Sequence, residues 1–148
     1  MTERHLVRAV LDTNIFIAAL KNKNQHSPNA ELLHRWVAGE FILVYCDDLE
    51  AEYREKCVAR NTQLGIRMSF LKNISLYGER VELTPEQIQP IIQADPDDDI
   101  VLACALVGHA THLVTYDPHL LNLGQSYAGV TLLDGLHFLY VVRGDSAR

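Results

Sequence analysis

The chain has 148 residues, of which 48% are hydrophobic and 22% charged, and its formal net charge is −6. That length suits one domain, 1–148, able to bury roughly 70% of its unfolded surface without staples. The negative charge argues against a protein that coats nucleic acid indiscriminately, since such proteins are usually basic.

The opening MTERHLVRAVLDTN has no apolar run before its first charged turn, so no secretory signal is expected. No stretch approaches the ~20 apolar residues of a membrane helix. Cys46, Cys57 and Cys104 are odd in number and share no C-x-x-C spacing, which predicts buried free thiols. A cytoplasmic protein with no membrane contact is the expectation.

VRAVLDT (7–13) is β-branched and apolar, a candidate buried strand, and NIFIAAL (14–20) follows as a short helix. The polar loop KNKNQHSP leads to a helix over NAELLHRWVAGE, with Gly39 as its stop. FILVYC (41–46) is a second buried strand. DDLEAEYREKCVAR (47–60) is acidic first and basic last, as a helix dipole favours. Residues 63–77 carry Ile66, Phe70, Ile74 and Tyr77 at helical intervals. RVEL (80–83) is a short strand candidate, and TPEQIQPIIQA predicts a helix with Thr84 as cap and Pro85 at its first position. Another helix is expected over DPDDDIVLACALVGH, a strand over THLVTYD, a strand over VTLLD and a closing helix over GLHFLYVV. Strands that are continuous apolar runs, alternating with helices, predict a parallel sheet covered on both faces. Ligands of such sheets bind beyond the carboxyl ends of the strands.

Aspartates gather at those ends. Asp12 closes the first strand and Asp117 closes HLVTY, while Asp47 and Asp48 follow the second strand. Four more aspartates crowd ADPDDDI, where Asp95 fits an N-cap, Pro96 the first turn and Asp98 the third position. Capping uses one or two acids. A surplus of carboxylates facing strand-end aspartates is better explained by a bound divalent cation, whose charge inverts the repulsion. Oxygen ligands favour Mg²⁺ or Mn²⁺. Zinc has little support, because His109 and His112 straddle a helix end and a strand start. No Ser-His-Asp order, phosphate-binding loop or glycine-rich dinucleotide turn is present.

VLDTN, LEAEYREK, DPDDDIVLACAL and HLVTYD, in that order and spacing across about 7–138, resemble the PIN-domain family. They are most similar to the subgroup described as toxins of toxin–antitoxin pairs. The resemblance implies a three-layer α/β/α sandwich and an Mg²⁺- or Mn²⁺-dependent endoribonuclease that leaves a 5′-phosphate. It implies Asp12, Glu52, Asp98 and Asp117 as the catalytic, metal-holding acids. Asp99 has an equally usual spacing to Asp117 and stays as an alternate ligand, and Asp95 helps from one turn earlier. On the 47–60 helix, periodicity places Glu50 nearer the apolar centre, whereas the family's E-Y pair selects Glu52. Thr13, Asn14 and Thr115 are the polar neighbours such a site uses to orient its carboxylates.

Arg54, Lys56, Arg60, Arg67 and Lys72, with Lys21 and Lys23, supply cations that could grip RNA phosphates. Single-stranded RNA is expected, because no groove-reading module is evident. The family likeness further implies an antitoxin partner and a homodimer. Two other classes remain: a catalytically inactive PIN-like module that binds RNA or protein, and a receiver-like domain phosphorylated on Asp12.

Overall fold

The computed structural model describes residues 6–21, 27–92 and 94–144; Lys23 lies outside them. Among the described residues, six strands form one sheet: β1 (Arg8–Leu11), β2 (Ile42–Cys46), β3 (Gly78–Val81), β4 (His112–Val114), β5 (Ser126–Tyr127) and β6 (Val130–Leu133). The α-helices that connect and cover it among the same residues are α1 (Thr13–Lys21), α2 (Pro28–Val37), α3 (Asp47–Ala59), α4 (Leu64–Tyr77), α5 (Pro96–Val107), α6 (Pro118–Leu121) and α7 (Gly135–Arg143). The strand order is β3-β2-β1-β4-β6-β5, parallel throughout except for β5, which runs against β6 at the edge.

The consecutive residues Ala9, Val10 and Leu11 point alternately to opposite faces of β1, and all three are fully buried. Both faces of the sheet are therefore covered, which makes the three-layer α/β/α sandwich that the apolar strand runs imply. On one side, Phe16 of α1 packs against Tyr53 of α3 and Phe70 of α4, with ring centroids 4.7 and 4.5 Å apart. Burying each such ring contributes about 1.5–3 kcal/mol. The three cysteines are buried free thiols. Among the described residues, no helix is long and apolar enough to cross a membrane.

The structure departs from the sequence expectation in four places. The helix expected over TPEQIQPIIQA shrinks to a single 3₁₀ turn at Pro85–Gln87. Pro90 has no amide to donate and its ring clashes with a preceding helical carbonyl. The amides of Ile91 and Ile92 instead donate to Asp99 Oδ1, at 3.0 and 2.6 Å. β3 begins two residues before the RVEL segment, directly after α4. Gly78 makes that possible: a Cβ there would lie 2.7 Å from both the Ile74 carbonyl oxygen and the Tyr45 ring. α6 and β5 are too short to have been visible as patterns. On α4, Phe70 and Ile74 are buried as expected, but Ile66 and Tyr77 are exposed.

The chain builds β1, β2 and β3 outward in one direction, then returns to place β4 on the other side of β1. The sheet's switch point thus lies between β1 and β4, where neighbouring connections leave in opposite directions and open a crevice.

Candidate metal centre

Asp12 follows β1 and Thr115 follows β4, so both stand at the carboxyl edge of that crevice. The backbone locks the two strand ends together, with the Asp12 amide donating to the Val114 carbonyl at 2.9 Å. Side chains finish the join. Thr115 Oγ1 donates to Asp12 Oδ2 at 2.8 Å and accepts from the Asp117 amide at 2.9 Å. Asp12 Oδ1 accepts from the Thr13 amide at 2.8 Å, at the start of α1. From the other side, the buried Tyr53 hydroxyl donates to the Leu11 carbonyl, fixing α3 against the residue before Asp12.

Asp117 caps α6 by accepting from the His119 amide at 2.9 Å, and Asp95 caps α5 by accepting from the Asp97 amide at 3.0 Å. Asp98 then falls at the third position of α5 and turns inward. It is only 5% exposed, and its Oδ2 is buried with no hydrogen-bond partner. Asp98 and Asp99 part company here. Asp99, equally buried, is turned to the 91–92 segment, whose two amides it holds.

Electrostatics mark the same spot. Burial, reinforced by contact with Asp117 and by the charges of Asp117, Asp95 and Asp12, pushes the Asp98 carboxyl up to about 8. Burial also raises Asp12, and the Thr115 hydroxyl and Thr13 amide offset it in part. Glu52, half-buried on α3, is raised by burial first and then by the charges of Asp12 and Asp97. Glu50 is instead paired with Arg54 at 2.8 Å, one turn along the same helix. Carboxylates this crowded are disfavoured in the charged form unless a cation joins them. The donor set is oxygen-rich, and the orphaned Asp98 Oδ2 offers an open coordination position. The residues present therefore fit a hard divalent ion.

The expected site residues separate into three groups. Asp12, Asp98, Asp117, Thr13, Thr115 and Asp95 meet around the β1–β4 crevice, and Glu52 borders it. Asn14 lies exposed in the first turn of α1, beside the site. Lys56 sits one turn beyond Glu52, close enough for its charge to bear on that carboxylate. Arg54 is engaged by Glu50, and Lys21 ends α1 eight residues past Thr13, about 12 Å along the helix axis. One neighbour escaped the sequence reading: His119, whose Nδ1 lies 3.4 Å from Asp117 Oδ1 and 3.8 Å from Asp98 Oδ2. His109 and His112 take no part. His109 makes a left-handed turn (φ 53°), and His112 lies 2.8 Å from the Thr111 hydroxyl and packs on Phe138.

Fold and site together define an α/β domain with a cluster of crowded carboxylates at its switch point. The PIN domain family model matches residues 8–119, most of the chain, and this protein belongs to that family. PIN domains are generally metal-dependent nucleases. Among solved structures, the chain is similar to PAE2754 from Pyrobaculum aerophilum, at 16% identity and a TM-score of 0.62, covering 94% of this chain and 91% of the other. It is also similar to VapBC2 from Rickettsia felis, solved bound to a DNA fragment from its promoter. That likeness has 16% identity and a TM-score of 0.56, covering 86% of this chain and 98% of the other. No curated protein matches the chain.

Proposed function

We propose that the protein is an Mg²⁺- or Mn²⁺-dependent endoribonuclease and the toxin of a toxin–antitoxin pair, acting on single-stranded RNA in the cytoplasm. The observation that carries this reading is the buried Asp98 oxygen without a partner, set among Asp117, Asp95 and Asp12. Asp12, Asp98, Asp117 and Glu52 would hold the ion. A divalent ion, when bound, offsets charge on the phosphoryl oxygens and makes a nearby water more acidic.

The chain's own residues do the rest. Thr115 keeps the Asp12 carboxylate in one orientation and fixes the Asp117 backbone, so that two acids from separate strands move as a unit. Thr13 and the start of α1 hold the other oxygen of Asp12. Water adds across the phosphodiester bond, the 3′-oxygen leaves as a hydroxyl and the 5′-phosphate stays with the downstream fragment. No covalent enzyme intermediate is required. In this reading Lys56, one turn beyond Glu52, would meet an RNA phosphate, with Lys21 and Arg54 as more distant contacts. The likeness to VapBC2 supports an antitoxin partner, and a homodimer is part of the same reading.

The test is incubation of the purified protein with defined single-stranded RNAs in Mn²⁺, Mg²⁺ or EDTA, beside Asp98→Asn. Metal-dependent cutting should fall roughly a hundredfold in the variant, a loss of about 3 kcal/mol of transition-state stabilisation. Full-rate cutting by the variant would remove the site assignment. No cutting of any RNA by the wild type would favour the inactive binding module.

A further inference from the structure

His119 is two residues beyond Asp117, and the geometry of α6 fixes where it goes. Pro118 occupies the first helical position and the Asp117 side chain caps the His119 amide, so the ring is carried back over the acids. Its Nδ1 faces Asp117 Oδ1 at 3.4 Å and Asp98 Oδ2 at 3.8 Å. Both separations exceed the 2.7–3.2 Å of an N–H···O hydrogen bond. They fall within the span of a metal's ligands: with bonds of about 2.1 Å, adjacent ligands of an octahedral ion lie about 3 Å apart and opposite ones about 4.2 Å, so a shift of a few tenths of an ångström would bring the three groups to coordinating distance. One atom from each of Asp98, Asp117 and His119 lies within 4.8 Å of the others. The Asp98 oxygen that faces the His119 ring, Oδ2, is the buried one that has no hydrogen-bond partner. An acid cluster alone would say little, but an imidazole nitrogen 3.8 Å from an orphaned, buried carboxylate oxygen calls for a shared occupant.

We propose that His119 is a direct metal ligand, completing with Asp98 and Asp117 a mixed carboxylate–imidazole position that takes Mn²⁺ in preference to Mg²⁺. This rests on the metal-centre reading above. The selectivity follows from ligand chemistry. Mg²⁺ is a hard ion that prefers oxygen and sheds water reluctantly, while an imidazole nitrogen suits first-row transition metals. A purely carboxylate centre would not separate the two ions on that ground. The half-exposed ring (51%) lies at the mouth of the site, free to adjust by the few tenths of an ångström that coordination needs.

The experiment titrates MnCl₂ and MgCl₂ separately into the metal-stripped full chain by calorimetry, for wild type, His119→Gln and His119→Ala. Pulsed electron paramagnetic resonance of the Mn²⁺-loaded protein is read alongside. Both substitutions should weaken Mn²⁺ binding about tenfold or more and Mg²⁺ binding less than about threefold. The wild-type spectrum should carry ¹⁴N coupling from a coordinated imidazole, absent in both variants. Thermal melts in EDTA check that the variants keep the fold. Equal losses for the two ions, unchanged Mn²⁺ affinity, or Mn²⁺ bound without nitrogen coupling would overturn the ligand role and leave the acidic centre standing. A wild type that binds neither ion would overturn both readings.

Discussion

Replacing Asp98 by Asn should stabilise the metal-free protein while destroying its response to metal. In the wild type, Asp98 is a buried carboxyl beside Asp117, with its pKa raised from 3.8 to about 8. At about 1.4 kcal/mol per tenfold change in proton affinity, the full rise corresponds to a ceiling near 6 kcal/mol. The Asn amide keeps the volume but buries N–H groups without a sure partner, which costs about 1–3 kcal/mol. A net gain of at most about 3–5 kcal/mol remains above pH 8, or roughly 6–20 °C in melting temperature for a chain of this size. The sign follows from linkage. Below pH 3.8 the carboxyl is protonated in both folded and unfolded chains, so the group costs nothing there. As pH rises the unfolded chain ionises first, and stability is lost progressively until the folded carboxyl ionises near 8. The assay is a series of thermal melts in EDTA from pH 4 to 9, for wild type and Asp98→Asn, then repeated in excess Mn²⁺. The variant should be the less stable protein at pH 4, overtake wild type as pH rises and hold its largest advantage above 8. Mn²⁺, which stabilises only the state that binds it, should reverse that advantage. A variant less stable than wild type at pH 8 in EDTA, or an advantage that ignores pH, would refute the reasoning.

Three further outcomes follow from the same geometry. Thr115→Val removes the hydroxyl that joins Asp12 to the Asp117 amide and should weaken Mn²⁺ binding about 10- to 100-fold by calorimetry. Glu52→Gln should lower both metal affinity and RNA cleavage, whereas Glu50→Gln, which breaks only a pair with Arg54, should leave both near wild type; the reverse order would transfer the role to Glu50. Tyr53→Phe deletes a buried hydrogen bond to the Leu11 carbonyl and should cost about 1 kcal/mol or more in denaturant unfolding, and no measurable loss would show that α3 does not anchor the end of β1.

Asp12 and Asp117 could be placed from sequence because each ends a short apolar run, and a parallel sheet gathers such ends on one edge. The same logic could not choose between Asp98 and Asp99. That difference arises from residues 91–92, which abandon the expected helix at Pro90 and give their amides to Asp99. Periodicity on α3 favoured Glu50, but the helix sends Glu50 to Arg54 and leaves Glu52 nearer Asp12. His119 was legible only in the triplet Asp117-Pro118-His119: an aspartate cap, a first-turn proline and a histidine at the second helical position. A four-residue helix is too short for any hydrophobic pattern to announce it. β5 was lost for the same reason.

The central claim is that acids distant along the chain enclose one divalent ion, and anomalous diffraction from crystals grown in Mn²⁺ tests it most directly. The account predicts a manganese peak about 2.0–2.4 Å from carboxylate oxygens of Asp98 and Asp117, at the β1–β4 crevice. A manganese-saturated crystal with no peak there, or with its ordered ion held elsewhere on the protein, would contradict it.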